Sequence, residues 1–170
     1  MAPLVRRSWA LSGHTPILKQ RARSHQKVSV IAAIVVSPRR RRLHCYFRLH
    51  PNQNLTAHHI AAFLRVLLAQ IRTPIMLVWD RLPGHRAAAI TRLQQQRPRL
   101  QIELLPAYAP ELNPVEYLWA YLKSNPLAHF APADLACLSR TTRAHTRCVQ
   151  RQPRLLRGFL RASPLSLRLK

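Results

Sequence analysis

Negative charge is what this chain has least of. Five Asp and Glu stand against 28 Lys and Arg in 170 residues, for a formal net charge of +23. That balance excludes a cationic partner and argues for a polyanion. Residues 1–79 hold no acid at all, so any carboxylate chemistry within the chain starts at Asp80. Glycine is also scarce, three residues against 14 prolines, which excludes a flexible low-complexity protein. The three cysteines, Cys45, Cys137 and Cys148, are odd in number and unclustered, which excludes a disulfide frame and fits a reducing cytosol. No stretch approaches the roughly 20 apolar residues of a spanning helix, so no membrane is expected. The arginines at 6 and 7 precede no apolar core, because Ser8, Ser12, Gly13, His14 and Thr15 interrupt it, so no export signal is expected. The expected location is the cytoplasm, in association with the nucleoid. What remains is a chain 48% hydrophobic, enough to bury one core.

The few acids are placed where they matter. An apolar run over 75–79, after Pro74 and before the Leu82-Pro83-Gly84 turn, predicts a buried strand that ends on Asp80. In open α/β sheets that end is where ligands sit. Asn113 and Pro114 predict the N-cap and first position of a helix, with Glu116 in its first turn. A second strand over 100–105 leads into the loop before that helix, so Asp80 and Glu116 are expected to converge. Two carboxylates beside a basic surface suit a hard divalent cation such as Mg2+, which takes oxygen ligands and shares substrate phosphates.

The rest of the chain fills in around them. Residues 1–26 read as irregular and basic, with a turn at Gly13 and Pro16 and with Trp9 as a core or lid aromatic. Residues 27–36 read as a central strand, with 43–49 as its hairpin partner. Arg39, Arg40, Arg41 and Arg42 form the turn between them, and two readings stand side by side: a solvated turn, or a tip that holds a phosphate backbone. A helix over 54–71 presents Ile60, Phe63, Leu64, Leu67 and Leu68 on one face. His58 and His59 lack the i, i+4 spacing of a helical metal pair and are expected on the surface. The turn after Asp80 brings His85 to the start of a helix over 86–96, within reach of substrate phosphate or of an acid of the site. Glu103 reads as an edge acid, and Glu111 as a charge favoured by the following helix dipole. Leu118 and Trp119 are expected to pack that helix on the sheet. Lys123 lies on the face of Glu116, open to solvent or to a phosphate. Beyond Pro126, Asp134 starts a helix whose Arg140, Arg143 and Arg147 form one basic face. Residues 151–170 predict a short basic helix and a frayed end.

Two segments carry a resemblance: Leu77-Val78-Trp79-Asp80-Arg81-Leu82-Pro83-Gly84-His85-Arg86 and Leu105-Pro106-Ala107-Tyr108-Ala109-Pro110-Glu111-Leu112-Asn113-Pro114-Val115-Glu116-Tyr117-Leu118-Trp119. They resemble the second and third acidic motifs of DDE transposases of the mariner-like bacterial insertion-sequence group. Residues 3–16 are similar to the segment that follows the first catalytic aspartate there. The likeness covers roughly residues 3–125. It implies a ribonuclease H-like α/β fold, a mixed sheet flanked by helices, and Mg2+ or Mn2+ as cofactor. It assigns Asp80 and Glu116, rather than Glu111, as catalytic and metal-binding, with His85 and Asn113 auxiliary. Arg81 departs from the small or amide residue often found after that aspartate, with an expected effect on metal access.

The expected organisation is a partial catalytic domain over 1–125 and a basic helical C-terminal extension over 126–170. The resemblance implies DNA as partner, both element ends and target, and is compatible with a homodimer. The family's first aspartate and first strand have no counterpart in these residues, nor has its helix-turn-helix region. Three accounts are open: a separately encoded or frameshifted N-terminal half, a decayed remnant, or a start codon assigned too late. In each, the chain alone is expected to bind DNA without appreciable cleavage. The rival reading is a non-enzymatic basic nucleic-acid-binding protein, for which acids at a strand end and in a helix first turn have no purpose.

Overall fold

The computed structural model describes residues 10–14 and 27–165, so the readings of Trp9, of Pro16 and of residues 166–170 lie outside the described residues. Strand β1 (Val28–Val36) pairs antiparallel with β2 (Leu43–Pro51), from Val28 opposite Pro51 to Val36 opposite Leu43. β-Branched residues fill β1 because their stiff side chains suit a pleated surface. At the turn the Ser37 N–H donates to the Arg42 carbonyl at 2.9 Å, and the Arg42 N–H donates to Ser37 Oγ at 3.0 Å. The expectation of a central strand needs correction, since among the described residues β1 pairs with β2 alone. Its unbroken apolar run has another cause. Ile31 and Ala33 pack into one core while Ala32, Ile34 and Val36 pack into another, so both faces are covered.

Helix α1 (Ala57–Gln70) buries Ile60, Phe63, Leu64, Leu67 and Leu68, the stripe its sequence period dictates. Each such side chain contributes about 1.5–3 kcal/mol on burial. His59 is not the plain surface histidine expected. The Thr56 N–H donates to its Nδ1 at 3.2 Å in a capping box, and its ring meets that of His50 edge-on at 4.6 Å. Burial, foremost, holds His50 below the ordinary histidine value. At the other end of α1 the Arg99 guanidinium donates to the Leu68 and Ile71 carbonyls, tying the helix to the chain entering the fourth strand.

Strand β3 (Ile75–Trp79) runs parallel to β4 (Leu100–Leu104), with α2 (Ala88–Gln96) as the crossover. Strands of both senses are thus present, as expected, but in two two-stranded ribbons. The ribbons meet through α1: Ile31 and Ala33 of β1, and Ile75 and Leu77 of β3, pack against the same buried cluster. β3 is buried on one face rather than two, because α1 and α2 cover only that side. Met76 stays 65% exposed and Val78 40% exposed.

A second core joins α3 (Pro114–Ser124), α4 (Leu135–Gln150) and α5 (Pro153–Ala162) to the hairpin. Leu43, Cys45, Leu118, Leu122, Val149, Leu156, Phe159 and Leu160 form its buried centre. There burial pushes the Cys45 thiol up to about 11. The residues read as a basic extension therefore contribute apolar faces to the same core as β2 and α3. Among the described residues no helix is long and apolar enough to cross a membrane.

Candidate active site

Asp80 follows directly on β3, and the end of the ribbon is clamped beneath it. The Leu105 N–H donates to the Trp79 carbonyl at 2.8 Å, and Arg81 Nε donates to the Leu105 carbonyl at 3.0 Å. Arg81 thereby ties the two strand ends together. Asp80 Oδ1 accepts the Leu82 N–H at 3.1 Å and lies 2.7 Å from His85 Nδ1. Asp80 remains 35% exposed and His85 17% exposed, so the carboxylate is accessible while its partner is largely covered.

His85 is held by stacking as well as by its contact with Asp80. Its ring lies 4.1 Å from that of buried Trp79, with only 3° between the planes. It belongs to a 3-10 turn, Pro83–Arg86, and α2 begins only at Ala88, a correction to the helix start expected at 86. The reason is local: Pro83 opens the turn, and Ala87 is in an extended conformation, which breaks the helix between them. Gly84 sits close against α1, where an added Cβ would meet Ile60 Cδ1 at 3.1 Å.

Glu116 is placed by a different set of bonds. Asn113 caps α3, its Oδ1 accepting the Val115 N–H at 3.1 Å; Pro114 follows at the first helical position, and the Glu116 N–H donates to the Asn113 carbonyl at 3.0 Å. The Glu116 side chain is exposed. An acid in a first turn also complements the helix dipole, worth about 0.3–1 kcal/mol, so its position serves the fold whatever else it does. Glu111 lies exposed in the preceding 3-10 turn, Pro110–Leu112. That turn is anchored from the far end of the chain, since Ser163 Oγ donates to the Leu112 carbonyl at 2.9 Å.

The structure brings Asp80 and His85 into contact. Glu116 stands on a helix of the second core, whereas the strand carrying Asp80 belongs to the first. Among the described residues no three His, Cys, Asp or Glu gather into a metal-binding group. The two carboxylates are hard oxygen donors of the right kind for Mg2+ or Mn2+, and one oxygen of Asp80 is already engaged. The donor chemistry fits; a set of three does not form from these residues.

Arg39, Arg40, Arg41 and Arg42 are exposed at the hairpin tip, and Arg157 Nη2 of α5 donates to the Arg41 carbonyl at 2.8 Å. Arg140, Arg143 and Arg147 are exposed along α4, and Lys123 lies half-buried in the last turn of α3. Sequence reasoning missed three supports of the site: Trp79 as a stacking platform, Ser163 and Arg157. Trp79 carried a signal, its place beside Asp80. The other two carried none, since their contacts span 51 and 116 positions.

Comparison with known proteins gives three findings. The family described as DDE superfamily endonuclease matches residues 2–136. The fold is similar to that of the "Mos1 Strand Transfer Complex", with a TM-score of 0.65 at 16% identity over 95% of this chain and 47% of that one. It is similar also to the "catalytic domain of Mos1 mariner transposase", with a TM-score of 0.53 at 14% identity over 79% of this chain and 74% of that one. The chain spans about half the length of the transposase in the first complex. Among curated proteins no match is found.

Proposed function

Because the chain belongs to the DDE superfamily endonucleases, we propose that it is part of a transposase that cleaves and joins DNA phosphodiesters with the help of a divalent metal. The observation that carries this reading is the fixed Asp80 carboxylate at the end of β3, with Glu116 in the capped first turn of α3, in a protein of net charge +23. Acids so placed repel phosphate unless a cation intervenes. Asp80 and Glu116 are the residues that would hold Mg2+ or Mn2+, and such an ion supplies activation of a water or 3′ hydroxyl and neutralisation at the leaving oxygen. His85 orients Asp80, and Asn113 with Pro114 orients Glu116. The arginines of the hairpin tip and of α4 contact the phosphate backbone. The DNA partners in this reading are element ends and target; similar folds include a Mos1 strand transfer complex and a Mos1 transposase paired-end complex with the left transposon end.

The third carboxylate of the triad must come from outside residues 1–79, which hold no acid. A separately encoded N-terminal half is one source, and a homodimer is compatible with this reading. The polypeptide alone therefore binds DNA with cleavage reduced by several orders of magnitude, a rough expectation for a site short of one charge. A metal-dependent nicking assay on terminal-repeat DNA is the test. Strong cleavage by this chain that Asp80→Ala abolishes would overturn the proposed inactivity while supporting the site.

A second reading, a non-enzymatic DNA binder, is favoured by the absence of a three-donor cluster among the described residues. DNA affinity measured with and without Mg2+ separates the two. The transposase reading expects Mg2+ to strengthen binding in the wild type and Glu116→Gln to weaken that response. A pure binder loses affinity with added Mg2+ in both proteins, by competition for phosphate.

A further inference from the structure

Tyr108 lies on the loop between β4 and α3, and two features coincide there. Its relative exposure is 101%, above the other exposed large hydrophobics among the described residues, so its ring rests on no neighbouring element. Its backbone has φ +57°, the left-handed region that a bulky L-residue adopts at an energetic penalty and that turns ordinarily fill with Gly or Asn. A strained backbone displaying a bare aromatic ring is unfavourable twice over for the free protein. Such outliers persist where the surroundings enforce them, and they cluster at ligand sites.

The loop that carries it is anchored on either side. Before the tyrosine, Leu105 is buried and bonded to both Trp79 and Arg81 under Asp80. After it, the Pro110–Leu112 turn is held by Ser163 and leads into the Asn113 cap below Glu116. Pro106 and Pro110 stiffen the interval. The loop is therefore fixed on both sides, at Leu105 beside the end of β3 and at the turn that leads into the cap of α3, with Tyr108 exposed in the interval.

We propose that Tyr108 is a nucleobase-stacking residue, taking the face of an unpaired DNA base beside the phosphodiester handled at Asp80 and Glu116. The inference rests on the DNA-acting reading above and names the part of the substrate that this loop recognises. An aromatic ring suits an unpaired base because every base offers a π face, so the contact tolerates sequence. The overall charge of +23 makes a nucleic acid the fitting owner of that face.

The test uses the full chain and a DNA duplex with a 3′ overhang whose first unpaired base is 2-aminopurine, whose fluorescence stacking quenches. Wild type and Tyr108→Phe are expected to quench it. Tyr108→Ala and Tyr108→Gly are expected to lose the quenching and roughly tenfold in affinity for the overhang, with blunt-duplex affinity unchanged. Tyr108→Gly should also keep its Tm within about 2 °C of the wild type or raise it, because glycine accepts this φ without strain. Full quenching by Tyr108→Ala overturns the inference and leaves the DNA-acting reading intact. A wild type that fails to bind even blunt duplex overturns both, and a marked fall in Tm for Tyr108→Gly assigns Tyr108 to the fold instead.

Discussion

Asp80 owes its orientation to a neighbour that owes its own to a ring. The imidazole of His85 reaches the carboxylate at 2.7 Å because it lies flat on Trp79, buried at the end of β3. Removing the imidazole leaves the carboxylate with the Leu82 N–H as its remaining described partner and uncovers the indole. His85→Ala is therefore expected to lower Tm by about 2–4 °C, the shift that roughly 1 kcal/mol produces in a chain of this size. The Mg2+-dependent gain in DNA affinity should shrink with it. His85→Asn, which keeps a donor, should recover part of that gain; equal responses in wild type and both variants would remove His85 from the site. Trp79 stood beside Asp80 in the sequence, but its stacking with His85 depends on the Pro83–Arg86 turn folding back over the strand.

Among the elements, α5 has a part that its composition conceals. It reads as basic and short, yet it buries Leu156, Phe159 and Leu160, donates from Arg157 to the hairpin tip, and leads to Ser163, which holds the turn before α3. It lies beyond residues 2–136, the span matched by the family. Ser163→Ala removes the part-buried hydroxyl bond to the Leu112 carbonyl, at a cost of about 0.5–1.5 kcal/mol. The expected outcome is a Tm lower by roughly 1–6 °C and hydrogen exchange quickened at 110–116 ahead of β1. Uniform exchange across the chain would show that α5 stabilises the molecule without anchoring that turn.

For the molecule as a whole, charge and architecture act together. Arginines at the hairpin tip and along α4 are exposed, while those bonded to carbonyls, such as Arg99 and Arg81, hold the fold. DNA affinity should fall steeply with salt, and each phosphate-contacting arginine contributes about one unit to the slope of log affinity against log salt. Replacing Arg39, Arg41 and Arg42 together by alanine is expected to reduce that slope by about 2–3 units. Replacing Arg140, Arg143 and Arg147 probes the α4 face in the same way. An unchanged slope in one set assigns that set to solvent.

The sequence by itself determined the local structure: the stripe of α1, the Asn113-Pro114 start of α3, the β1–β2 hairpin and the acids at the ends of β3 and in the first turn of α3. These follow from periods, caps and turns that act within a few residues. Only the tertiary structure decided that β1 is covered on both faces while pairing, among the described residues, with β2 alone, that β3 is open on one, and that Ser163 anchors Leu112 from the far end of the chain. Which faces are covered depends on helices distant in sequence, and a hydrogen bond between residues 51 positions apart leaves no trace in the pattern around either.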